Sequence, residues 1–169
     1  YKRWPLANWV SLIEKLSPHQ QVILSAGPVT QDKELNKNII DLLSDTTRKN
    51  ILNLDGQLKL DQLGTLLRQA KLYIGVDTSV THLAAACNTP TITLFGATPP
   101  TNFGPWPNGF IGQQPYQVGQ VTIIQGPGDC VPCRKAGCED KSDSRSDCLN
   151  NLTVEQVLDA VKSYAVKFS

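Results

Sequence analysis

An α/β fold, with a parallel sheet and helices on both faces, is what this sequence predicts, and three observations predict it. Short, mostly apolar runs stand at Val22–Ser25, Ile51–Leu54, Leu72–Val76 and Thr91–Phe95, the length and character of buried parallel strands. Apolar residues at helical spacing fill the stretches between them, each long enough for a crossover helix. The two kinds of segment alternate along the chain, and that alternation selects a parallel sheet.

In chain order, Pro5 cannot sit inside a helix and Asn8 can cap one. Trp9, Leu12, Ile13 and Leu16 then mark one helical face that ends near Ser17–Pro18. The strand Val22–Ser25 is broken by Gly27–Pro28. Leu35, Ile39, Ile40 and Leu43 predict a second helix, and Ile51–Leu54 a strand ending at the turn signal Asp55–Gly56. Leu60, Leu63, Leu66 and Leu67 predict a third helix. The strand Leu72–Val76 leads into an alanine-rich helix, Val80–Cys87, and Thr91–Phe95 is a strand closed by Gly96. From Ala97 to Pro115 the chain carries Pro99, Pro100, Pro105, Pro107 and Pro115, with Gly104, Gly109 and Gly112 between them. It reads as an ordered loop anchored by Phe103 and Trp106, set where it can wall a ligand crevice. Val118–Ile124 reads as one further strand. Val154, Val157, Leu158, Val161 and Ala165 mark a closing helix, with Thr153 and Gln156 as its capping box. Lys141 to Asp147 is charged and serine-rich, a solvated loop.

The chain has 169 residues, enough for one domain with a real core, which buries about 70% of the surface its unfolded chain exposes. Its net charge of +1 gives no footprint for nucleic acid or for an anionic membrane surface. No apolar run approaches the roughly 20 residues of a membrane span. The chain begins with Tyr1 and holds no methionine, which predicts a fragment of a longer protein.

The stretch that organises the rest is Leu72 to Cys87, LYIGVDTSVTHLAAAC. Asp77, Thr78 and Ser79, all N-cap types, stand between a strand and a helix. The carboxyl edge of a parallel sheet is where ligands bind, and a helix start offers free amides and partial positive charge. Asp77 to His82 therefore reads as a phosphate-facing turn, with His82 on the ligand side if Asp77 is the cap. The same pattern also serves as an ordinary cap in many α/β proteins.

Three pieces in order carry a resemblance: Lys2-Arg3-Trp4-Pro5, the GVDTSVTHLAAA run of Gly75–Ala86, and TPTITLFGATPP at Thr89–Pro100. With the late cysteine pattern they resemble the carboxyl-terminal domain of the family 9 glycosyltransferases, the lipopolysaccharide heptosyltransferases. The resemblance implies one Rossmann-like half of a two-domain GT-B enzyme, residues 1–169 being the nucleotide-sugar donor-binding domain. It implies ADP-heptose as donor, no required cofactor, and transfer of heptose with inversion to the lipopolysaccharide inner core. The acceptor, a lipid A carrying Kdo or heptose, and the catalytic base belong to an amino-terminal domain absent from this chain, so no catalytic residue is named here. The resemblance also implies a cytoplasmic place at the inner face of the inner membrane, with peripheral membrane association and no nucleic acid partner. By the same resemblance, Asp77, Thr78 and Ser79 form the donor turn. Thr78 and Ser79 give amide and hydroxyl donors to the diphosphate, and Asp77 fixes the turn or meets sugar hydroxyls. His82 faces the ligand, Lys2 lies near the donor phosphates, and Leu58 stands where an apolar residue touches the base. Fixed donors and a lysine suit the departure of ADP, because each stabilises the growing negative charge by about 3 kcal/mol. A stand-alone nucleotide- or metal-binding module, or another GT-B glycosyltransferase or sugar-nucleotide epimerase, is the alternative.

Of the five cysteines, Cys87 reads as a small buried hydrophobe. The other four, Cys130, Cys133, Cys138 and Cys148, begin with a zinc-like spacing but lack a second close pair. A structural zinc, disulfides and free thiols are the three states open to them. The resemblance extends to this cluster and makes it a structural clamp on the last loop.

Overall fold

The structure is a computed structural model, which describes residues 1–27, 30–106 and 117–165. Part of the Gly27–Pro28 break, and the residues Pro107, Gly109, Gly112 and Pro115 of the expected loop, lie outside the described residues. The chain divides into two compact units, Pro5–Leu63 and the remainder, Tyr1–Trp4 with Gly64–Ser169.

In the Pro5–Leu63 unit, helix α1 spans Leu6–Leu16, α2 Thr30–Leu42 and a short α3 Asp45–Arg48. Strands β1 (Val22–Leu24) and β2 (Ile51–Asn53) pair in parallel, Val22 opposite Ile51. The cap of α1 is Pro5, not Asn8 as expected. The carbonyl of Pro5 accepts from the amides of Asn8 and Trp9 at 3.0 and 3.2 Å, so the helix starts as soon as the proline ring allows. Ile13, Ile39 and Leu43 form the core with Trp9, Leu35, Val22, Leu24 and Ile51 packed around them. Val22, Leu24 and Ile51 share one face of the pair. Ile23 and Leu52 lie on the other and are exposed. Helix α3 was not expected. It owes its start to Ser44, whose hydroxyl caps the Thr47 amide, and to Glu14, which accepts from Ser44 N at 2.6 Å and Thr47 Oγ1 at 2.6 Å.

Helix α4 runs over Leu60–Gln69, with the boundary between the units at Gly64. The larger unit then holds β3 (Tyr73–Val76), α5 (Ser79–Ala86), β4 (Thr91–Phe95), α6 (Pro100–Phe103), β5 (Gln117–Val118), β6 (Val121–Gln125), α7 (Asp147–Asn150) and α8 (Val154–Ala165). Its sheet order is β3-β4-β6-β5, with β3, β4 and β6 parallel. The single strand expected over Val118–Ile124 is a hairpin. Gly119 turns the chain at φ 58°, and β5 runs antiparallel to β6.

Two contacts show that helices cover both faces of this sheet. Ala85 of α5 packs with Phe95, Val121 and Ile123, which alternate onto one face. Tyr164 of α8 bonds the hydroxyl of Thr122, on the opposite face, at 2.8 Å. Strand β4 is wholly buried, its Ile92, Leu94 and Phe95 interspersed with the β-branched Thr91 and Thr93. Of the two expected loop anchors, Trp106 packs against the Ala85–Phe95 cluster, whereas Phe103 is 55% exposed. Phe103 ends the one-turn helix α6, whose prolines set its backbone direction and leave that ring in solvent.

Candidate functional site

Strand β3 delivers the chain to Asp77, and α5 takes it away. Gly75 makes the local geometry possible. A Cβ there would collide with the Tyr73 hydroxyl, so only glycine lets that ring fold back along the strand. The Tyr73 hydroxyl reaches Thr81 Oγ1 at 3.1 Å. Thr81 is fully buried and donates its one proton to the carbonyl of Val76 at 2.5 Å. Tyr73 must therefore be the donor to Thr81, because a hydroxyl carries a single proton. Burial pushes the Tyr73 phenol above its ordinary value, and the hydroxyls of Thr81 and Thr78 offset part of that. Thr81 and Tyr73 were not singled out from the sequence. The threonine at the third helical position was the available signal, since it can bond back to the strand end.

The cap of α5 is Thr78, in extended conformation, and not Asp77. Thr78 makes no side-chain cap bond, and its carbonyl accepts from the amides of Thr81 and His82. The amides of Ser79 and Val80, at the first two helical positions, have no intrahelical acceptor. Thr78 and Ser79 are exposed and Val80 is half-buried, which sets this helix start at the carboxyl end of β3.

Asp77 is buried at 7% exposure and receives two cations or potential cations. Lys2 Nζ lies 2.5 Å from Oδ2, and His82 Nε2 lies 3.8 Å from Oδ1. Asp77 Oδ2 makes no hydrogen bond of good geometry among the described residues, so the Lys2 contact is an ion pair set by distance rather than by direction. A carboxylate this buried needs a partner. Lys2 and His82 are themselves 38% and 48% exposed, so both keep access to a ligand.

The structure thus brings Lys2, Asp77 and His82 together, beside Thr78 and Ser79. Leu58 belongs to the other compact unit and is half-buried in the segment between β2 and α4. A cavity of about 320 Å³ in that unit is lined by His19, Gln20, Lys49 and Asn50 among others. It sits at the amino ends of β1 and β2, the edge opposite to that used by ligands of such sheets.

All five cysteines are free thiols. Among the described residues no three His, Cys, Asp or Glu side chains form a group able to hold a metal ion. The zinc and disulfide alternatives therefore find no support in this geometry. Cys130 and Cys138 are exposed, Cys133 is half-buried and Cys148 is buried, so the four do not share one environment. Burial pushes the Cys148 thiol up, and the nearby Cys138 and Cys133 add to this against bonds from the backbone. Cys87 is half-buried and donates to the Gly64 carbonyl at 3.6 Å.

Residues 1–142 match the model of glycosyltransferase family 9 (heptosyltransferase). Lipopolysaccharide heptosyltransferase 3 of Escherichia coli is 35% identical over 112 residues, 66% of this chain and 32% of that protein. Lipooligosaccharide heptosyltransferase 2 of Haemophilus influenzae is 26% identical over 167 residues, 98% of this chain and 44% of that protein. The chain thus spans between a third and a half of the length of these relatives. Among solved structures, E. coli ADP-heptose lipopolysaccharide heptosyltransferase II superposes with a TM-score of 0.76 at 23% identity, over 98% of this chain and 43% of the other. An E. coli heptosyltransferase with ADP gives 0.69 at 22% identity, over 96% and 40%. These two likenesses establish the fold. The family match covers most of the chain, and on that ground the chain belongs to glycosyltransferase family 9, the heptosyltransferase family.

Proposed function

We propose that residues 1–169 are the donor-binding domain of a lipopolysaccharide heptosyltransferase and hold ADP-heptose at the β3–α5 turn. The observation that carries this reading is the pair of open amides at Ser79 and Val80 with Lys2 and His82 beside them. The diphosphate accepts from those amides, where the helix start adds partial positive charge. An ammonium has three protons, so Lys2 can keep its contact with Asp77 and still reach a phosphate oxygen. Its charge also cancels that of Asp77, which alone would repel the donor. Asp77 Oδ1, which has only His82 Nε2 near it at 3.8 Å, is the oxygen that meets a sugar hydroxyl, and His82 lines the same opening.

In the transfer, the bond from the heptose carbon to the phosphate breaks and its electron pair leaves with ADP. Lys2 and the two amides are fixed before that charge develops, so they stabilise the departing group without reorganising. A hydroxyl oxygen of the acceptor sugar forms the new bond to that carbon and gives up its proton to a base; neither that base nor the residues that hold the acceptor are among those named here. The relatives' names support a lipopolysaccharide acceptor and hence work at the cytoplasmic face of the inner membrane. No described helix is long and apolar enough to cross a membrane.

Calorimetric titration with ADP, UDP and GDP tests the reading. ADP binds, and Lys2→Ala weakens it by roughly 10- to 100-fold, the range for a charge-assisted phosphate contact. Equal binding of all three nucleotides removes the adenine preference. No binding of any of them overturns the donor reading.

A further inference from the structure

We propose that Ser146 is a positioning residue for Lys2, acting through the backbone of Tyr1. This rests on the donor role proposed for Lys2, although the positioning itself can be measured without any nucleotide. Residues 1–5 have no regular secondary structure, so nothing in their own backbone aims the Lys2 ammonium at Asp77. Bonds from the far end of the same unit do so. Ser146 Oγ donates to the Tyr1 carbonyl at 2.7 Å, the Tyr1 nitrogen donates to the Ser142 carbonyl at 3.1 Å, and Trp4 Nε1 donates to the Leu152 carbonyl at 2.8 Å. Ser146 and Trp4 are both buried, at 3% and 1% exposure, and Lys2 sits between the two anchored residues.

Ser146 stands at the N-cap of α7, where a serine hydroxyl ordinarily accepts from the helix's own first turn. Here it makes no cap bond. Its proton goes to the Tyr1 carbonyl, while the Asp147 amide at the first helical position donates to the Cys138 sulfur at 3.3 Å. The hydroxyl's one directed bond is therefore to a distant backbone group.

The thiol-rich loop holds Ser146 in place for this. The Cys138 amide donates to the Arg145 carbonyl at 2.9 Å, and Ser144 Oγ donates to the Ala136 carbonyl at 3.0 Å. The Asp140 carboxylate accepts from the Ala136 amide at 2.9 Å. Gly137 is tied in as well. Its φ is +81°, and a Cβ there would come within 3.0 Å of two backbone carbonyls. The Arg134 amide donates to the Ala97 carbonyl at 2.9 Å, just beyond β4, which fastens the loop to the ligand edge of the sheet.

The test uses the intact chain with Ser146→Ala, Lys2→Ala and the double variant. A second route is Trp4→Phe, which keeps the ring and removes its donor. Without nucleotide, the acylation rate of Lys2 by an amine-reactive ester is read by mass spectrometry against exposed Lys162. The rate ratio rises in Ser146→Ala and Trp4→Phe, because the ammonium leaves Asp77 more often. An unchanged ratio in both variants overturns the positioning role. With ADP, Ser146→Ala weakens binding roughly three- to tenfold, the usual worth of one hydrogen bond. The same substitution has no further effect when Lys2 is already alanine. An equal loss in both backgrounds means that Ser146 acts independently of Lys2, and the proposal falls. If the unsubstituted chain binds no ADP, the donor reading fails on its own, while the acylation ratio still decides the positioning.

Discussion

Asp77 illustrates how one residue imposes demands on several others. Its buried carboxylate is stable only while a cation stands near, and Lys2 supplies that cation. Thr81 does the complementary work on the neutral side of the turn, tying the end of β3 to the first turn of α5 through the Val76 carbonyl. Thr81→Val keeps the volume and removes both the donor to Val76 and the acceptor for Tyr73. It lowers stability by about 1–3 kcal/mol in chemical denaturation, because two buried polar groups lose their partner together. A change below the error of that measurement would show that the turn does not depend on this hydroxyl. Nothing in the sequence near Asp77 announces Lys2, since the two residues lie far apart in the chain and no local rule relates them.

At the scale of elements, the strands and long helices were legible because each carries its own signal. The run Thr91–Phe95 is made only of β-branched, leucine and aromatic residues, and the strand has those same bounds. The short elements were not legible. Helix α3 has too few residues to show a period, and it exists because Glu14 of α1 meets Ser44 and Thr47. That dependence has a pH signature. The Thr47 hydroxyl, followed by the Ser44 amide, holds the Glu14 carboxyl below its ordinary value of 4.5. A depressed folded value means that its stabilisation is fully present above 4.5 and is lost as pH falls below it. Glu14→Gln therefore lowers the urea midpoint at neutral pH and has less effect in acid. Equal effects at both pH values would sever the link between the ionised carboxylate and α3. The β5–β6 hairpin escaped notice for a related reason. A single glycine inside an apolar run reads as a weak spot in one strand until the register of its neighbours is known.

For the whole molecule, a ligand that binds only the folded state raises its stability by mass action, about 2.7 kcal/mol at a hundred times Kd. ADP should therefore raise the melting temperature and slow amide exchange at residues 76–82. Protection that extends to residues 56–60 would support the adenine contact of Leu58, and exchange there unchanged by ADP would remove Leu58 from the site. By itself the sequence determined the alternation of strands and helices, the β3–α5 turn and the family, because period, cap types and short motifs are local properties. Only the tertiary structure decided that Lys2 neutralises Asp77, that Thr78 rather than Asp77 begins α5, and that the Ser146 hydroxyl donates to the Tyr1 carbonyl. Those are choices among several chemically equal partners. Chain segments brought together by burial make such choices, and the residue types alone cannot.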